Sequence, residues 1–194
     1  MKKITLIFFF GLANIAGCSN DSAEKLQQFN ENASSQIKLL AGNLQKELST
    51  AMQSQGPVSA VSVCNLKAPE IADEINSSSP INVKRTSLKI RNPNNAPDDW
   101  ERKVLNMFAN QLQEGVPVSD LVYSERIDSD DSSTFRMMKA IPVQPVCLTC
   151  HGNEQVIIDD VKNIILTNYP NDKATGYAAG ELRGAFSASQ TIAN

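Results

Sequence analysis

A single histidine, one tryptophan and an aromatic content of 6% leave this chain of 194 residues short of the side chains that most cofactor sites use. One histidine excludes any site that needs two imidazoles from one molecule. The aromatic shortage leaves few flat apolar groups for the core, a role that a flat prosthetic group can fill. Positive charge is also lacking. The formal net charge is −3, so there is no electrostatic case for nucleic acid or anionic lipid as a partner. No apolar run reaches the length that spans a bilayer. There is no internal repeat. No βαβ unit is visible, and no second pair of cysteine or histidine ligands stands near the one CxxC pair.

What is present is concentrated at Cys147-Leu148-Thr149-Cys150-His151. This CxxCH is the attachment pattern of a covalent c-type haem. Two thiols three residues apart can each add to one vinyl group, and the adjacent imidazole is then held under the iron as proximal ligand. A thioredoxin-type redox pair would belong at the start of a helix in a βαβ unit, which is missing. A zinc site would need two further ligands. The pattern therefore predicts one covalent haem c, with thioethers to Cys147 and Cys150 and iron bound by His151.

The N-terminus agrees with the compartment such a haem requires. Met1-Lys2-Lys3 precedes an apolar run from Ile4 to Gly17 broken only by Asn14, the layout of a secretory signal. Ile15-Ala16-Gly17-Cys18 resembles a bacterial lipobox, which implies cleavage before Cys18 and a lipid on Cys18. Ser19 follows, where Asp would favour retention in the inner membrane, so the outer membrane is the expected address. Ordinary cleavage to a soluble periplasmic protein is the alternative. The expected division is a signal over 1–17, a lipid-anchored tether over 18–23 and one domain over 24–192. Removing the signal takes away two lysines and no acid, which moves the net charge from −3 to −5. The remaining length suits one core.

The domain reads as helices first, then antiparallel strands with helices between them. Leu26, Phe29, Ala33, Ile37, Leu40, Leu44, Leu48 and Met52 recur at helical spacing. Gly56 is a stop and Pro57 the first residue of a second helix to about 77. In that helix Val61, Cys64, Ala68, Ile71 and Ile75 form one stripe, with Pro69 as a potential kink. Residues 82–91 alternate like a strand, 92–97 is turn chemistry, and Asp98 with Glu101 forms a capping box for a helix closed by Gly115. Strands at 120–127, 134–143 and 181–189 and a helix at 154–168 complete an α+β pattern.

Assigning Cys18 to lipid and Cys147 and Cys150 to haem leaves Cys64 alone on a buried stripe. An unpaired thiol in an oxidising compartment needs an explanation. Residue counting leaves Met52, Met107, Met137, Met138, a lysine or Cys64 to supply the sixth ligand.

Four segments resemble one family of small bacterial haem proteins. These are Val63-Cys64 with Ala68-Pro69-Glu70-Ile71-Ala72, VKRTSLKIRNPNNAPDDWE (83–101), CLTCHG (147–152) and GYAAGELRGAFS (176–187). They are similar, in order, to the Tll0287-like haem domain family, formerly a domain of unknown function. The resemblance covers about residues 25–190. It implies a PAS-like central antiparallel sheet with flanking helices, and iron held between His151 and the thiolate of Cys64. One departure is the polar loop 128–133.

A thiolate favours ferric iron, so a low potential is expected. For the propionates, Lys84, Arg85, Arg91, Arg136 and Arg183 are the nearby cations, and Arg85 and Arg91 are selected because they share strand parity. The function expected is that of a periplasm-facing monohaem cytochrome in electron transfer or redox sensing. Its redox partner is a protein, met as a basic partner by an acidic surface. The alternatives are a haem-based gas sensor, in which Cys64 leaves on reduction and admits CO or NO, and a sulfur-compound-oxidising enzyme.

Overall fold

The computed structural model describes residues 17–193, with side chains from residue 21 onward. The expected signal segment and the Cys18 side chain lie outside the described residues. Helix α1 (Gly17–Ser77) runs for 61 residues and bends at Gly56, whose φ of 78° and ψ of −177° are the only non-helical dihedrals inside it. This φ favours glycine, which has no Cβ to clash. Pro57 then opens the second arm, where its missing N–H costs nothing. The stop and restart expected at Gly56 and Pro57 are therefore observed. The helix passes through Pro69 without a break, and it already includes residues 18–23, read above as a tether.

The strands are β1 (Asn82–Thr86), β2 (Val122–Asp128), β3 (Ser132–Pro142) and β4 (Leu182–Ala193). They form one antiparallel sheet in the order β1-β4-β3-β2. The architecture is the α+β, PAS-like sheet with flanking helices. Helix α2 (Asp99–Gln113) covers one face and α1 the other. Strand periodicity divides the side chains between them. Val83, Phe135, Met137 and Ala188 point to α1, where Phe29, Ala33, Ile37 and Leu40 of its first arm meet Ile75 of its second. Met138, Ala140 and Ala185 point to α2, against Val104, Leu105 and Phe108. Each large side chain so buried contributes about 1.5–3 kcal/mol. Ile71 and Ala72 pack on the same cluster as Leu44, so the second arm of α1 folds back along the first.

The capping box of α2 is as expected. Asp98 Oδ1 accepts from Glu101 N at 2.8 Å, and Glu101 Oε2 accepts from Asp98 N at 3.0 Å. Glu101 is fully buried, and Lys84 reaches it at 3.0 Å. Arg136 pairs with Asp98 at 2.6 Å and lies over the Trp100 ring at 4.2 Å. Lys84 and Arg136 thus serve the α2 face, one residue out of phase with Val83, Arg85 and Met137.

Two boundaries differ from the sequence reading. The strand expected over 82–91 ends at Thr86, because the Ser87 hydroxyl donates to the carbonyls of Lys89 (3.0 Å) and Arg183 (2.8 Å) and turns the chain. The helix expected from 154 begins later, as α4 (Asp159–Asn168), since Asn153 Oδ1 accepts from the amides of Gln155 and Val156 and closes a separate turn first. In β4, Gly184 (φ 158°) lies where an added Cβ would stand 2.3 Å from Thr86 O. A register shift at Ile141/Pro142 accompanies it on β3. Among the described residues, no helix is long and apolar enough to cross a membrane.

Candidate cofactor site

Pro142 and Pro145 end β3 and open a short 3-10 turn, Pro145–Cys147, which runs into the single-turn helix α3 (Leu148–His151). Cys147 and Cys150 stand three residues apart on this turn, so their side chains share a face. Gln144 N donates to Cys147 Sγ at 3.3 Å. Gly152 ends the turn, and a Cβ there would lie 2.6 Å from Leu148 O.

The loop between α4 and β4 clasps this turn. Tyr177 N donates to His151 O at 2.9 Å and Gly176 N to Gly152 O at 2.8 Å. His151 Nδ1 lies 2.6 Å from Ala174 O. A carbonyl only accepts, so Nδ1 carries the proton and the Nε2 lone pair is left free. Burial holds the imidazole well below the usual histidine range, with Arg183 and Arg91 adding to the effect. It is therefore neutral at pH 7, as a metal-ligating imidazole must be.

Arg91 ties the clasp together. It pairs with Asp172 at 2.9 Å and donates to Cys150 O at 2.7 Å and Ala174 O at 3.4 Å. Asp172 Oδ1 in turn accepts from Ala174 N at 2.9 Å. Arg91 and Asp172 therefore position the carbonyl that orients His151. This is the outer-shell support usually found behind a ligating histidine.

Between the two arms of α1, the sheet and α3 lies a cavity of about 680 Å³, within the range of cofactor pockets. Cys64, Cys147, Cys150 and His151 all line it, although 83 residues separate Cys64 from Cys147 in sequence. Leu44, Leu48 and Met52 of the first arm and Val61, Ala68 and Ile71 of the second supply apolar walls. Burial pushes the Cys64 thiol up, while the charges of Arg85 and Arg91 pull it back. Burial likewise pushes Cys150 up.

Arg85, Arg91 and Arg183 reach the cavity, and Lys84 and Arg136 do not. Arg85 and Arg91 were selected on strand parity, but β1 ends before Arg91, which arrives on the following loop. Met52 also lines the cavity. Met137 lies in the core under α1, Met138 in the core under α2, and Met107 packs beside Met138. Glu70 forms an exposed pair with Lys67 at 2.8 Å. Glu47 is the carboxylate in the lining, and among the described residues no acid–base constellation surrounds Cys64.

A family model described as Tll0287-like matches residues 20–191. The chain belongs to the Tll0287-like family. The crystal structure of the cyanobacterial haem protein Tll0287 shares its fold, with a TM-score of 0.61 and 26% sequence identity over 88% of this chain and 96% of that one. No curated protein matches.

As a member of the Tll0287-like family, the chain can be tested for its fit to a haem, and its residues pass. The cavity has apolar walls, two thiols on one face of a turn, and a neutral imidazole with Nε2 free. It also holds the guanidinium of Arg85, which has no ion pair or hydrogen bond among the described residues. A bare metal ion fits less well. Among the described residues no three His, Cys, Asp or Glu side chains are placed to hold one metal ion between them.

Proposed function

We propose that this chain is a monohaem c-type cytochrome of the periplasmic side of the cell envelope, working in electron transfer or redox sensing. The observation that carries the reading is the convergence of Cys64, Cys147, Cys150 and His151 on one cavity. When bound, a haem supplies a one-electron couple. Cys147 and Cys150 hold it through thioethers, His151 offers Nε2, and Cys64 offers its sulfur from the opposing helix. The two arms of α1 wall the cavity with Leu44, Leu48, Val61 and Ile71. That keeps the local dielectric low and leaves the potential to be set by ligands and charge.

Arg183 is a cation placed to meet a propionate, and Arg85 reaches the same cavity. Arg91 is committed to Asp172 and to the clasp. With a Cys64 thiolate and His151 as its ligands, a bound haem would have its ferric state favoured and its potential set low. The lipobox supports anchoring of the chain through a lipid on Cys18, with α1 leading from the anchor into the domain. A redox partner protein completes the system.

Attachment is tested by producing the full chain with a cytochrome c maturation system. Haem absorbance should remain with the polypeptide after denaturation and acid–acetone extraction. Cys147→Ala with Cys150→Ala should release it. Extraction of haem from the unaltered protein would refute covalent binding.

A further inference from the structure

Two polar side chains that line the cavity have no hydrogen-bond or ion-pair partner among the described residues. Arg91 is paired with Asp172, and Arg183 bonds Ser87 Oγ at 2.9 Å. Arg85 has neither an ion pair nor a hydrogen bond among the described residues, although it stands on the covered α1 side of β1 in phase with Val83. A desolvated cation without an anion is costly, so an anion belongs beside it. Tyr169 is only 8% exposed. Its hydroxyl likewise has no partner among the described residues, and the side chain lines the cavity, where a tyrosine hydroxyl can serve a bound group.

Both side chains lie near one group, Cys64. Tyr169 belongs to the same buried cluster as Val61, which lies one helical turn before Cys64. Helical side chains lean toward the N-terminus, so the Cys64 sulfur covers that same turn. Arg85 and Tyr169 each lie within electrostatic reach of Cys64 and of one another. All three line the same cavity.

We infer that Arg85 and Tyr169 are positioning residues for the Cys64 sulfur, a cation and a hydroxyl donor that hold it as an anionic ligand and weaken its donation to iron. The inference rests on the reading of Cys64 as sixth ligand and extends it. Donors to a ligating sulfur raise a potential that the bare thiolate would set lower.

The test uses the haem-loaded full chain carrying Arg85→Met, Arg85→Lys or Tyr169→Phe, each alone and combined with Cys64→Ala. The readouts are the thiolate-to-iron charge-transfer band and the midpoint potential. Arg85→Met and Tyr169→Phe should each move the band and lower the midpoint. Arg85→Lys should stay near the unaltered protein. With Cys64→Ala, both shifts in potential should fall to less than half, because the cycle removes the shared partner.

A shift from Arg85→Met that persists in full without Cys64 would overturn the inference and make a propionate the partner of Arg85. A band that Tyr169→Phe leaves in place would overturn it as well. If Arg85→Met loads too little haem, Arg85→Lys and Tyr169→Phe decide the question. Failure of the underlying reading has its own signature. Cys64→Ala alone would then leave the spectrum unchanged, which refutes ligation by Cys64 and this inference with it.

Discussion

Cys64→Met should raise the midpoint potential by on the order of a few tenths of a volt, within the range that axial ligands span in haem proteins. The thiolate places a full negative charge on the ferric iron, whereas a thioether donates weakly and favours the ferrous state. Placement makes the replacement informative. Cys64 sits on the second arm of α1 with its side chain in the cavity, and methionine is long and flexible enough to reach a site from there. Equilibrium redox titration of the haem-loaded variant measures the shift. A midpoint unchanged from the unaltered protein would show that Cys64 is not bound to iron.

A chain produced without haem attachment should melt about 10 °C or more below the haem-loaded protein, the equivalent of several kcal/mol in a domain of this size. A cavity of about 680 Å³ with apolar walls separates the arms of α1, and nothing on the protein side replaces those contacts. The unpaired Arg85 adds to the penalty. The loss should be local. Phe108, Leu105, Phe135 and Phe29 are buried in the two clusters on either side of the sheet, so the sheet and α2 should keep their secondary structure. Hydrogen exchange should quicken over residues 44–71 and in the loop that carries Ala174, and change little in β3 and β4. Equal melting temperatures with and without haem would contradict this picture of the cavity.

Much of this was legible in the sequence, for identifiable reasons. The CxxCH is local, so its spacing alone places two thiols and an imidazole on one turn. Gly56 and Pro57 mark the bend of α1 because their backbone preferences are intrinsic. Cys64 could be placed on a buried stripe by helical period, but its meeting with His151 depends on the fold-back of α1, which no local pattern encodes. The basic residues show the limit most clearly. Parity put Arg85 and Arg91 on one face, yet it could not apply to Arg91 once β1 had ended at Thr86 and Ser87 had turned the chain. Ala174 carries no signal at all. Its contribution is a backbone carbonyl, positioned by Asp172 and Arg91 from distant segments. The expectation of a basic partner for an acidic surface came from net charge. The cavity lining instead gathers Lys38, Arg85, Lys139 and Arg183 against Glu47, so net charge says little about the site itself.

The most direct test of the account is the low-temperature electron paramagnetic resonance spectrum of the ferric, haem-loaded protein, recorded beside Cys64→Ala. The account predicts a low-spin thiolate-type signal in the unaltered protein and its loss in the variant. The same low-spin signal in both would contradict ligation by Cys64 and turn attention to Met52, the methionine that shares the cavity.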